Sequence, residues 1–281
     1  MSSEASHSNP LDHVVDHVVD SSHLELPWGR NGLVVDLPKI PLGFYDLQIT
    51  RFMLMELIAA VLVAAILIPL ARHIAKHPIT RGRFLNAFEV LVLFIRDSVA
   101  RPTIGGRDAD KYLPYLWTVF FFVLFNNLLG MIPGGASATG SINVTAVLAV
   151  MTFGVVLFAG MKASGPIGFW VNLVPTLDVH PALKFFLWPL MFFIEIGGLF
   201  IRHLVLCVRL FANMLAGHIV LAVILTFLIA VSGNAWYVVA PASIAGVIAL
   251  SLLELFVAFL QAYIFVFLSA LFIGSAAHPH H

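Results

Sequence analysis

The sequence predicts an all-α integral membrane protein, with about five transmembrane helices plus one amphipathic membrane-surface helix. Three observations lead there. Hydrophobic residues make up 60% of the 281 residues and charged ones only 11%, far from the balance of a soluble domain. Several apolar runs reach or exceed the ~20 residues that carry a helix across a bilayer. The few polar groups inside the last two runs recur at helical spacing. Strands of alternating polarity, the mark of a membrane barrel, are not visible. A net charge of zero supplies no bulk field for nucleic acid. The single cysteine, Cys207, has no intrachain disulfide partner and reads as a small apolar residue.

Residues 1–47 read as a polar, acidic N-terminal arm carrying Asp12, Asp16, Asp20, Glu25, Asp36 and Asp46. Within it Asp12–Asp20 repeats with period four, which on a helix arrays Asp and His along one side. His13 and His17, four apart, have the spacing of a metal-binding pair, but a solvated amphipathic arm accounts for the same pattern. No basic region followed by an apolar core opens the chain, so no cleavable signal peptide is expected.

Residues 48–275 read as the membrane domain. Its first span covers about 49–71, rich in Leu, Ile, Val and Ala. A basic stretch follows, from Arg72 and Lys76 through Arg81, Arg83, Arg96, Arg101, Arg107 and Lys111. Inside it Phe84, Phe88, Leu91, Val92 and Ile95 recur at helical spacing, which predicts an amphipathic surface helix over 80–103. The basic excess places this stretch in the cytoplasm and the N-terminal arm outside. Spans over 112–132 and 142–161 are separated by the uncharged connector Pro133–Gly140, read as an outside turn. Apolar sequence then runs over 182–231, too long for one perpendicular span: either one long, strongly tilted helix, or a helix broken near Arg202–His203 or Gly217. A turn at Ser232-Gly233-Asn234 precedes the last helix, 238–274, and residues 276–281 form a cytoplasmic tail. No internal repeat of the transporter type is present.

The polar residues inside the apolar runs carry the functional argument. Arg209 stays charged in any protein environment, and a charge at the bilayer centre costs at least ~3 kcal/mol. An intramembrane cation of this kind marks an ion pathway by default. Glu195, Arg202 and Arg209 are seven apart and share one face, drifting only ~20° per step. Asn213, four past Arg209, stays near that face, whereas His218 is about half a turn out of phase and turns toward a neighbouring helix. Glu195 lies ~21 Å from Arg209 along the axis on one side, and His218 ~14 Å on the other. Proton-exchanging groups thus flank a permanent cation, the layout of two half-channels separated by a barrier. On the last helix Glu254 and Gln261, seven apart, share a face, and Glu254 is placed to hold a proton with His218. Bland readings stand beside these: Arg202 and His203 as a kink or interfacial anchor, Glu195 as a structural partner of Arg202, and Asn126, Asn127, Asn143, Asn213 and Gln261 as interhelical hydrogen bonders.

The run Arg209-Leu210-Phe211-Ala212-Asn213-Met214-Leu215-Ala216-Gly217-His218, with Glu254 and Gln261-Ala262-Tyr263-Ile264-Phe265 downstream, resembles subunit a of F-type ATP synthases. Leu124–Pro133 and Asn143-Val144-Thr145 are similar to further landmarks of that family. The resemblance covers roughly 49–275. It implies two long, tilted C-terminal helices facing a ring of c subunits, with Arg209 as the essential arginine facing that ring. It implies that Glu195 belongs to the cytoplasmic half-channel, that His218 and Glu254 serve the outside one, and that Gln261 lies near the arginine. Arg202, His203, Asn127 and Asn143 are supporting candidates. The implied partners are the c-ring, peripheral-stalk b subunits, the remaining synthase subunits, the lipid bilayer and protons. The expected location is a membrane crossed several times, a bacterial inner membrane in preference to an organelle's. No cofactor, metal or catalytic site is expected in this chain, and without a Gly-x-x-x-x-Gly-Lys-Ser/Thr loop it is not expected to bind ATP itself. A self-contained proton channel or secondary transporter is the alternative, which predicts transport without a ring.

Overall fold

The computed structural model of the chain describes residues 21, 23–26, 33–41, 46–76, 82–132, 137–174, 181–230 and 236–278. The Asp12–Asp20 repeat with His13 and His17, and the turn at Ser232-Gly233-Asn234, lie outside them.

Two small antiparallel hairpins precede the helices. β1 (His23–Leu26) pairs with β2 (Leu33–Asp36), with His23 opposite Asp36, and β3 (Lys39–Pro41) pairs with β4 (Asp46–Gln48). Composition gave no hint of them, because strands of three or four residues are too short to show a period of two. The hairpin region is tied to the first helix by Arg51 N–H, which donates to Ser21 O at 2.9 Å.

The remainder is helical. α1 is Arg51–Lys76 and α2 is Arg83–Phe94, which continues through a π-helical stretch, Ile95–Ala100, into one turn, Arg101–Ile104. Gly105, with φ 98°, makes the break that only glycine adopts easily, and α3 follows over Gly106–Gly130. A 3₁₀ turn at Ala138–Gly140 leads to α4 (Ile142–Ser164) and the short α5 (Pro166–Asn172). α6 runs unbroken over Pro181–Ala230 and α7 over Trp236–Ala277. Five of these helices, α1, α3, α4, α6 and α7, are long and apolar enough to cross a membrane. The fold is therefore the all-α membrane class, with the hairpins as a local addition. α6 passes through Arg202–His203 and Gly217 without a break. At ~1.5 Å per residue it is ~75 Å long, more than twice the ~30 Å of a hydrocarbon core, so it tilts, curves or projects beyond the bilayer.

The chain forms two compact units. One comprises residues up to Leu62 with Val123–Ser141 and Leu210–Gln261; the other comprises Val63–Phe122, Ile142–Arg209 and Ala262–His281. In the second, α2 packs its apolar stripe on α3: Phe88 lies 5.7 Å from Phe121 between ring centroids, and Trp117 Nε1 donates to Val92 O at 3.0 Å. Tyr115 and Thr152 join α3 to α4 through their hydroxyls at 2.7 Å. Near the start of α3, Asp108 accepts from Lys111 Nζ at 2.6 Å, an exposed pair worth little to stability.

The last turns of α7 lie directly on the turn before Gly105. A Cβ on Gly274 would collide with Thr103 O and sit 3.2 Å from Ile104 Cα. Backbone cannot swing aside as a side chain can. Gly274→Ala is therefore expected to destabilise this unit by ~1–3 kcal/mol, as overpacking does. Thermal unfolding of the purified complex in detergent checks this, and an unchanged midpoint would refute the close packing.

Candidate functional site

In the first unit, α6 and α7, with Met131 just past the end of α3, line an open cavity of about 270 Å³. Its polar lining is Asn213, His218 and Glu254; Met131, Met214, Leu250, Leu253 and Val257 supply much of the apolar wall. At ~30 Å³ per water, there is room for several waters beside these groups. Glu254 and His218 are both half-buried. Among the described residues no hydrogen bond or ion pair joins them directly, so they share a cavity rather than a bond. His218 lines this cavity although it is about half a turn out of phase with Arg209, and Asn213, near Arg209's face, lines it too.

Gly217 makes the arrangement possible. A Cβ there would sit 2.5 Å from Glu254 Oε1 and 3.2 Å from its carboxyl carbon. The carboxylate thus lies against bare α6 backbone, where any side chain would displace it. One turn from Gly217, Asn213 Nδ2 donates to Gln261 Oε1 at 2.9 Å. Gln261 is buried, so this bond satisfies an amide that would otherwise lose its partner on leaving water. The pair couples α6 to α7 on the same stripe of α7 that carries Glu254.

Arg209 precedes Asn213 by four residues on the unbroken α6 and is half-buried. Among the described residues it has no ion pair. Glu195 is half-buried and Arg202 exposed, and no ion pair joins them. His203 is buried, turned back on its own helix with Nδ1 2.8 Å from Leu199 O, and packed with ring centroids 5.1 Å from both Phe153 and Phe272. Its surroundings are those of a packed aromatic core. Asn143 is exposed at the start of α4, whereas Asn126 and Asn127 are fully buried near the end of α3.

Asn127 belongs to a polar cluster that sequence reading passed over. Its Nδ2 donates to Ala258 O at 3.3 Å, and its Oδ1 accepts from Thr139 Oγ1 at 2.6 Å. Ser137 Oγ lies 2.7 Å from Thr139 Oγ1. The only signal was the pair of hydroxyl residues in the connector, a composition common to many turns.

Residues 53–274 match the family model described as ATP synthase A chain. The chain belongs to this family. It is 42% identical to ATP synthase subunit a of Chloroherpeton thalassium over 95% of its own length and 77% of the relative's. It is 44% identical to ATP synthase subunit a of Myxococcus xanthus, covering 88% of this chain and 78% of that one. It is also 44% identical to ATP synthase subunit a 2 of Prosthecochloris aestuarii, covering 99% and 83%. Membership in the ATP synthase subunit a family makes the chain a multi-pass membrane subunit of an F-type ATP synthase, within the machinery of proton transport and ATP synthesis. The family match takes in the whole of α6 and every candidate residue on it.

Proposed function

We propose that this chain is the fixed wall of a proton path, forming two half-channels against a rotating ring of c subunits and so coupling proton flow to rotation. The observation that carries the reading is the gathering of His218, Glu254 and Asn213 around one cavity, with Arg209 further along the same helix. Histidine exchanges protons near neutral pH, and a buried carboxyl group is held between its two forms by the balance of desolvation and nearby charge. A proton enters by the cavity, passes by His218 and Glu254, and neutralises a carboxyl group on the ring. That site then faces lipid at little cost, whereas a charged one there costs at least ~3 kcal/mol. After a near-complete turn the proton leaves toward Glu195. Arg209 holds the emptied carboxylate and, as a permanent cation, opposes direct passage between the half-channels. A membrane potential of 100 mV contributes ~2.3 kcal/mol per charge moved.

The basic stretch between Arg72 and Lys111 supports a cytoplasmic side for that stretch by the positive-inside rule, and with it an orientation with the N-terminus outside and the C-terminus cytoplasmic in a bacterial plasma membrane. Exposed apolar side chains crowd α6 and α7, among them Phe193, Phe200, Val208, Leu252 and Phe256, a surface suited to lipid and to a ring of apolar helices. The b subunits and the soluble sector complete the partner set, with nucleotide chemistry in the latter.

Proton conductance of vesicles carrying the chain alone, or the membrane sector with its ring, tests this. The chain alone is expected to conduct no more than bare lipid, and the sector with its ring to conduct after the soluble part is stripped. Conduction by the isolated chain would favour the self-contained channel instead.

A further inference from the structure

The cluster behind Asn127 is directional. Thr139 spends its single hydroxyl proton on Asn127 Oδ1 at 2.6 Å, so in the 2.7 Å contact between the two hydroxyls Ser137 is the donor. Asn127 then donates through Nδ2 to Ala258 O at 3.3 Å. The reverse orientation of the amide would set its oxygen against the Ala258 carbonyl, so that carbonyl fixes the amide, and Oδ1 then faces Thr139 as an acceptor. Asn127 and Thr139 are fully buried and Ser137 is 4% exposed. Bulk water cannot replace a lost bond there, and an unpaired group would carry its full desolvation penalty. Ser137 is pressed onto α3 as well, since a Cβ on Gly130 would collide with it.

The chain ends at an informative place. Ala258 is four residues after Glu254 and three before Gln261, so all three lie on one stripe of α7. Ala258 is fully buried and its small side chain lets an amide reach the backbone between the two polar residues. On that stripe, Glu254 lies against Gly217 and Gln261 accepts from Asn213.

We infer that Thr139, with Ser137 behind it and Asn127 before it, is a positioning residue that sets the rotation and height of α7 where it presents Glu254 and Gln261. This rests on the proton-path reading above. An apolar contact would hold the helix close but would tolerate sliding and rotation; a directed chain ending on one carbonyl specifies one setting.

The test uses the assembled complex in inverted membrane vesicles, measuring ATP-driven proton uptake per assembled complex across pH. Thr139→Val keeps the shape and removes the hydroxyl. It is expected to lower uptake about fivefold to tenfold, as small misplacement of a reacting group does, and to shift the pH profile. Thr139→Ser is expected to restore both. Wild-type uptake and an unmoved profile for Thr139→Val would overturn the inference. If that variant does not assemble, Ser137→Ala decides: a shifted profile supports positioning, and an unmoved one leaves a purely structural role and overturns it. Glu254→Gln, run alongside, separates the two levels. Unaltered uptake in Glu254→Gln would sink the proton-path reading itself, and this inference with it.

Discussion

Replacing Arg209 by Ala is expected to lower ATP-driven proton uptake about 100-fold or more, the scale on which removal of a fixed charge-stabilising group acts. The complex is expected to assemble normally, because Arg209 has no ion pair among the described residues for the substitution to break. Passive proton conductance, measured after the soluble sector is stripped, is expected to persist: a neutral side chain removes the electrostatic barrier between the half-channels without filling either of them. Arg209→Lys keeps the charge but replaces a planar fork with a strongly hydrated point charge, and recovery is expected to be small. The combination of lost uptake, intact assembly and retained leak distinguishes a coupling role from a folding one. Normal uptake in Arg209→Ala would mean that the arginine is structural, and the ring-facing reading would have to be given up.

Five apolar runs were enough to read the membrane fold, because the bilayer forces each into a helix whatever its neighbours. The sequence left open whether residues 182–231 break, and the reason is physical. A polar pair such as Arg202–His203 looks like an interruption, yet a helix needs only its own backbone bonds, and His203 turns its Nδ1 back to Leu199 O. Pro189 is likewise carried inside α6. The hairpins and the π-helical stretch Ile95–Ala100 had no legible signal, since neither depends on a hydrophobic period. For the site, spacing along α6 indicated which residues share a face, but only tertiary structure could show that His218 and Glu254 line one cavity with no hydrogen bond or ion pair between them. From the sequence alone Gly217 reads as one of the places where the helix could break. Its place in the fold is a close approach to Glu254, which no pattern within α6 alone can reveal. Ser137 and Thr139 stayed hidden for the same reason: their partners, Asn127 and Ala258, are distant in sequence.

Gly217 also gives a prediction whose sign separates local helix stability from the site. Glycine is less favourable than alanine in a helix interior by ~1 kcal/mol, so on propensity alone Gly217→Ala strengthens α6. The site predicts the opposite outcome for function. The new Cβ falls 2.5 Å from Glu254 Oε1, and the carboxylate must swing away into the cavity. Uptake is expected to fall about tenfold for Gly217→Ala and about a hundredfold for Gly217→Val, the range in which misplacement by about an ångström acts. Thermal stability is expected to hold or rise for the Ala variant. Shortening the acid gives the internal control: Glu254→Asp retracts the carboxylate by one methylene, so Gly217→Ala with Glu254→Asp is expected to work better than Gly217→Ala alone. A double-mutant cycle on uptake rates measures that coupling. Strictly additive losses would mean that Gly217 and Glu254 act independently, and that the close approach does not govern proton transfer.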